Sequence, residues 1–252
     1  MRLKPEDYQV ATFFGLIVLF SLMERFWPAH RIDRWKDLKV DVLSFAFALA
    51  ANQAVTILIG KSIGTLTPPF LQAVPAYLST WNSAGRIVLA LFVVDFVVYW
   101  IHRSQHTFEL MWRTHAWHHS IEHMYWFAGF RTSFMHSLLN NIPVVLIPVV
   151  LLRFSPVEVG IGYSIGAVIQ FVEHTNCRLT FGPLNWLLVT PDYHRIHHAA
   201  SIHRGRNLAG TFRLWDRMFG TYVDPAEVPE SYALGLDEKV GPRQIPRMLV
   251  GV

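Results

Sequence analysis

Three stretches of this chain are apolar over more residues than the core of a small globular domain needs, and they limit the fold before any other feature does. Residues 10–27 read VATFFGLIVLFSLMERFW, residues 40–60 VDVLSFAFALAANQAVTILIG, and residues 85–101 GRIVLALFVVDFVVYWI. A helix rises about 1.5 Å per residue, so runs of about 17–25 residues match the hydrocarbon thickness of a bilayer. Two shorter apolar runs follow, 138–152 and 157–172, joined through RFSPVE. The first of them contains Pro143 and Pro148. They read as a hairpin of two kinked or tilted helices that need not cross the bilayer completely, and whose ends return to one side. Composition agrees: hydrophobic residues make up 52% and charged residues 16%, against roughly 25% charged in ordinary soluble domains. The expected fold is an all-α integral membrane protein with about four to five transmembrane or hairpin helices.

Loop charges orient these helices. The segment PAHRIDRWKDLK between the first two runs carries Arg31, Arg34, Lys36 and Lys39 against Asp33 and Asp37, whereas residues 61–84 carry Lys61 as the only charge. Positive charge is retained on the cytoplasmic side, so the third helix is expected to deliver its C-terminus to the cytoplasm. No small-residue cleavage site follows the first run, which favours a retained anchor over a cleaved signal. From about residue 174 the chain turns polar without a linker-like break. Residues 1–252 therefore read as one membrane-embedded domain, multi-pass, with a cytoplasmic cap. The basic residues form no dense stripe, which argues against nucleic acid as a partner. Cys177 is the only cysteine, which leaves no internal disulfide, thiolate cluster or cysteine-rich zinc module.

The thirteen histidines are unevenly spread. His102 and His106 stand four apart in IHRSQH, directly after the third run. His115, His118 and His119 form HAWHH, and His194, His197 and His198 repeat the spacing in HRIHH. Positions i, i+3 and i+4 of a helix share a face, so each set can direct its imidazoles to one point. Imidazole suits iron, copper, nickel and zinc. Eight such side chains exceed the needs of one four-coordinate ion, and two ions with three or more nitrogens each would use them. His174, in VEHTN at the end of the hairpin, is in position to be a ninth ligand. A lone histidine is more often a surface or core residue, and His30, His123 and His203 are read that way. Asp95, Tyr99, His102 and His106 follow at spacings of four, three and four along one stripe. A carboxylate inside an apolar span needs a partner. For Asp95 that is either a ligand imidazole, as an outer-shell group, or another helix. Trp100, Trp112, Trp117 and Trp126 read as an interfacial aromatic belt in preference to the lining of a lipid entrance.

Together, DFVVYWIHRSQH (95–106), LMWRTHAWHHS (110–120), TPDYHRIHH (190–198) and LWDRMFGTY (214–222) resemble the fatty acid hydroxylase/sterol desaturase superfamily of membrane di-iron oxygenases, from about residue 85 to 223, with residues 1–84 as N-terminal transmembrane helices. The resemblance implies a helical membrane core, a histidine-rich metal-binding cap, and O2-dependent attack on a lipid C–H bond with hydroxylation or desaturation as the outcome. It implies two iron ions, with zinc as a possible bound species, and the ligands His102, His106, His115, His118, His119, His174, His194, His197 and His198. Related members often carry a histidine four residues before the position of His174, where this chain has Gln170, which is read as an outer-shell group. They commonly carry a glutamate where this chain has His136. His136 is open as a substitute ligand, an outer-shell group or a bystander, and the outer-shell role is preferred.

The chain offers no redox module of its own. It has no cysteine cluster for iron–sulfur, and GIGYSIG (160–166) lies in an apolar run, where Gly162 and Gly166 read as a helix-packing face. An external donor (ferredoxin, cytochrome or reductase) is therefore implied. No Gly-x-Ser-x-Gly elbow is present. Two rivals use the same imidazoles. One is a zinc-dependent lipid hydrolase with Glu122 or Glu173 as base. The other is a metal transporter or sensor, which the clustering of ligands beyond the helix ends disfavours.

Overall fold

The computed structural model describes residues 5–63, 77–78, 80–199, 205–229 and 232–252; residues 64–76 and His203 lie outside the described residues. Helix α1 spans Pro5–Phe26, α2 Leu38–Ile63 and α3 Ser83–Thr107, and each is long and apolar enough to cross a membrane. The short helix α4, Glu109–His119, carries the first histidine triplet. Next comes α5, Phe134–Val145, which contains Pro143 and runs into a π-helical turn, Leu146–Leu151. Helix α6, Pro156–His174, completes the membrane-proximal part. Beyond it lie the short helices α7, Pro191–His197, α8, Leu214–Phe219, and α9, Ile245–Val250. Among the described residues there is no strand, only isolated bridges such as Pro28 to Cys177.

The hairpin forms as expected, but its first arm starts earlier than the apolar run. Its first arm, Phe134–Leu151, is long and apolar enough to span. The apolar run began at 138 only because His136 interrupts the pattern, whereas the helix itself begins at Phe134, where the Ser133 hydroxyl accepts from the His136 amide at 3.1 Å. The arms also have different principal partners. α5 packs mainly on α2 and α6 mainly on α1, while α3 touches both. Prolines 143 and 148 remove backbone donors and leave room for the wider π turn. Arg86 of α3 then holds the connection, donating to the carbonyl oxygens of Leu152 at 2.5 Å and Arg153 at 3.1 Å and pairing with Glu158 at 3.3 Å. α6 restarts with a capping box: the Ser155 hydroxyl accepts from the Glu158 amide, and Glu158 accepts from the Ser155 amide at 2.8 Å, with Pro156 in the first turn.

The N-terminal helices are tied to the cap by carboxylates. Glu24 of α1 accepts from the Trp126 amide at 2.8 Å, the Asn176 amide at 2.9 Å and the Thr175 hydroxyl at 3.1 Å. Asp41 of α2, fully buried, accepts from the Arg131 guanidinium and from the Tyr125 hydroxyl at 2.8 Å. In the loop between α1 and α2, Asp37 meets His123 at 2.8 Å and the Asn176 amide group donates to the His30 carbonyl at 2.8 Å. The basic first loop therefore lies on the same side as the histidine cap.

Of the two partners the sequence left open for Asp95 the structure supplies the other helix, and the reading of two tryptophans as interfacial is corrected. Asp95 of α3 does not reach an imidazole. It accepts from the amides of Thr211 and Phe212 at 2.8 and 2.9 Å and from the Trp215 indole at 2.8 Å, so its partner is α8 and the segment leading into it. Trp117 and Trp126 are buried core residues, donating to the Ser44 and Ser21 hydroxyls, while Trp100 keeps an outward position. A helical stripe defines a direction and does not identify what packs there. The Asp41–Arg131 pair makes a direct test of the tie between α2 and the cap. Replacing Asp41 with Ala leaves a buried guanidinium without its carboxylate and should cost about 3–5 kcal/mol, read as a lowered thermal unfolding midpoint in detergent.

Candidate metal centre

The nine histidines that the resemblance implies as ligands converge into two groups. His102 and His106 of α3, His115 and His119 of α4, and His197 of α7 form one. His118 of α4, His174 of α6, and His194 and His198 of the α7 end form the other. Within each group one ring nitrogen per residue lies within 4.8 Å of all the others. Each triplet serves both groups. HAWHH sends its first and third histidines to the five-membered group and its second to the four-membered group, and HRIHH does the reverse. Side chains at i and i+4 diverge by about 40° around a helix, while i+3 and i+4 diverge by about 100°. One turn can therefore present nitrogens in two directions.

Backbone carbonyls fix several of these rings. Nδ1 of His102 lies 2.7 Å from the Leu208 oxygen, and Nδ1 of His197 lies 2.9 Å from the Arg206 oxygen. Nδ1 of His118 is 3.1 Å from the Arg131 oxygen, and Nδ1 of His174 is 3.1 Å from the Gln170 oxygen. A carbonyl only accepts, so each Nδ1 carries the hydrogen and each Nε2 presents a lone pair inward. The inward lone pairs meet. His118 and His174 oppose Nε2 to Nε2 at 3.2 Å, and His194 approaches His174 at 3.0 Å. In the other group Nε2 of His102 lies 2.8 Å from Nε2 of His115, and the buried Nε2 of His197 has no hydrogen-bond partner. Facing lone pairs in a dry site repel, and a cation between them removes the repulsion. The donor set fits a metal ion in each group.

Electrostatics agrees with that fit. Burial first, and neighbouring imidazoles second, push His115, His119, His194 and His198 well below the usual histidine range; His118 and His197 are pushed the same way, with His174 and His102 respectively as the imidazoles that act most strongly. The rings are neutral at physiological pH, which is the form that binds metal.

The outer layer explains the LWDRMFGTY stretch. Asp216, fully buried, accepts from the amides of Leu208 and Ala209 at 2.8 and 2.7 Å, from the Tyr193 hydroxyl at 2.6 Å and from the Thr221 hydroxyl at 2.6 Å. It thus fixes the peptide whose carbonyl orients His102, and it holds Tyr193, which precedes His194. Asp95 anchors the same segment from the membrane side. On the other flank, Arg131 binds Asp41 through its guanidinium and offers its carbonyl to His118. Of the remaining predicted residues, His136 sets its Nδ1 2.9 Å from Nδ1 of His115 with the rings stacked at 4.6 Å, outside both groups. Gln170 is also outside them, donating from its side chain to the Gly129 carbonyl at 2.7 Å. Glu24, Asp41 and Gly129 escaped the sequence reading because none belongs to a ligand pattern. For Asp216, the quoted motif was the only signal.

The fatty acid hydroxylase family model matches residues 87–221, more than half of the chain. The chain belongs to this family. It is 35% identical over 152 residues to the alkylglycerol monooxygenase of Xenopus tropicalis, covering 58% of this chain and 32% of that one. It is 27% identical over 239 residues to the ornithine lipid hydroxylase OlsE of Rhizobium tropici, covering 90% of this chain and 70% of that one. The match to the human alkylglycerol monooxygenase is 33% over 144 residues, again 32% of that protein. The chain thus spans about a third of the alkylglycerol monooxygenases it matches and most of the hydroxylase OlsE. No solved structure matches it. With four helices among the described residues long and apolar enough to cross a membrane, and relatives that are lipid hydroxylases and monooxygenases, it is a multi-pass membrane protein of an oxidoreductase family.

Gly129 supplies a test of the four-histidine group. A Cβ at this position would stand 2.5 Å from Cγ of His174, too close for any real contact. Gly129→Ala should destabilise the fold by about 1–3 kcal/mol and reduce the metal retained per chain, measured by inductively coupled plasma mass spectrometry alongside thermal unfolding.

Proposed function

We propose that this chain is an O2-dependent di-iron oxygenase that hydroxylates a C–H bond of a membrane lipid. The observation that carries the reading is the division of nine imidazoles, most of them buried, into two groups whose ring nitrogens face each other. In this reading those nine histidines are the ligands, five to one ion and four to the other, with zinc as a species that can occupy the same nitrogens. Iron bound there would supply the reductive activation of O2 that attack on an unactivated carbon requires. The chain's own part is to hold the rings as inward lone pairs, to keep water away from them, and to present the lipid from the membrane side. His136 serves as an outer partner of His115. Hydroxylation is favoured over desaturation because the relatives matched most extensively are named hydroxylases and monooxygenases. The relative covered over most of its length is named for ornithine lipid, which supports a polar membrane lipid as substrate.

The whole chain acts as one membrane-embedded domain with its cap in the cytoplasm. The basic loop 28–39 supports that orientation, since it lies beside the histidines. Electrons come from an external carrier, because the chain has no redox module. The zinc hydrolase reading needs a carboxylate close to the metal. Glu122 lies 4.0 Å from Lys239 instead, and neither Glu122 nor Glu173 falls within the two histidine groups.

The test is made on the full-length protein in detergent. Anaerobic iron loading should give two iron ions per chain, and lipid mass spectrometry of a deletion strain should show loss of a species 16 Da heavier than its precursor, a mass difference of about one oxygen atom as hydroxylation demands. Complementation with the parent chain should restore that species, and His118→Ala should not. Two zinc ions with no oxygen dependence after iron loading would overturn the proposal.

A further inference from the structure

Among the described residues, one aromatic ring other than histidine packs on the histidine groups, and that ring also faces the surface. Trp112 of α4 sets its ring centroid 5.1 Å from that of His106 and 5.2 Å from that of His119, both in the five-histidine group. The same side chain lines a cleft of about 240 Å³ together with Leu236, Asp237, Glu238, Gln244 and Met248. One ring therefore spans the distance from an open cleft to two candidate ligands.

We propose that Trp112 is the point at which electrons from an external one-electron carrier enter the five-histidine group. The inference rests on the oxygenase reading. In that reaction R–H, O2, two electrons and two protons give R–OH and H2O: a C–H bond and the O–O bond break, a C–O bond forms, and two equivalents of carrier are each oxidised by one electron. The carrier cannot enter the buried group, so its electrons must cross the protein at a thin place. The indole is polarisable and in contact with two rings of the group, and the cleft lets a donor approach it. Asp237 and Glu238 on the rim favour a donor that presents positive charge there.

Cys177, the only cysteine, is buried, so a single introduced surface cysteine can be labelled selectively. The probe is a cationic tris-bipyridyl ruthenium photoreductant attached at Asp237→Cys in the cleft, or at Leu184→Cys on the surface outside it. Iron-loaded protein is oxidised to the ferric state, freed of oxidant and flashed anaerobically, and the rate of electron injection is followed by transient absorption, with metal content measured on the same samples. The cleft label should inject faster than the label at position 184. Adding Trp112→Leu should slow injection from the cleft by about tenfold at unchanged metal content, and reduction by dithionite in solution should go to the same extent. If Trp112→Leu loses metal, Trp112→Phe, which keeps a ring against the histidines, is read in its place and should also inject more slowly than the parent. An unchanged rate in a metal-replete Trp112 variant, or a label at position 184 that matches the cleft label, would overturn the inference. A parent chain that binds no redox-active metal would instead overturn the oxygenase reading.

Discussion

The rest of this structure depends on holding neutral imidazoles nitrogen to nitrogen in a dry interior. Nε2 of His174 lies 3.2 Å from that of His118 and 3.0 Å from that of His194, and Nε2 of His102 lies 2.8 Å from that of His115. Such contacts offer no net hydrogen bonding where the opposite nitrogen already carries the hydrogen. They persist because the surrounding backbone holds the rings, and they make the two groups receptive to cations. Stability and metal affinity are therefore coupled, because the backbone that holds the rings also preorganises the ligands.

That preorganisation is layered. Carbonyls of Leu208, Arg206, Arg131 and Gln170 set the ring orientation, and carboxylates set the carbonyls or the segments around them. Asp216 and Asp95 fix the stretch that carries Leu208. Asp41 fixes Arg131. Glu24 fixes the amides on either side of the cap, at Trp126 and Asn176. Glu24, Asp41 and Asp95 lie on the first three long helices, so the membrane part is the frame against which the cap is held. This accounts for buried acids in helices that otherwise carry few charges.

Much of the architecture was legible in the sequence because its causes are local. Apolar run length marks a membrane helix, and a spacing of three and four marks a shared face. Both depend only on helix geometry. The first arm of the hairpin was read short because His136 interrupts an apolar count without interrupting a helix. The sequence left Asp95 between a ligand imidazole and another helix, because sharing the histidines' stripe does not say what packs against it. Its actual partners lie more than a hundred residues later, where no local pattern could connect them. Trp117 and Trp126 were misread for a related reason: composition identifies an amphipathic ring, and only packing shows whether it reaches lipid or core.

By itself, the sequence determined the chemistry of the donors, the helical frame and the family to which the chain belongs, since these follow from residue type and short-range periodicity. Only the tertiary structure decided how the donors are divided. The triplets looked like two separate sets, yet each is split between both groups. The split arises because α4 and α7 meet with their histidine faces opposed, and the angular spread of one helical turn then sends adjacent imidazoles to different centres. That outcome depends on how two helices pack across about eighty residues of intervening chain, and spacing within either triplet carries no information about it.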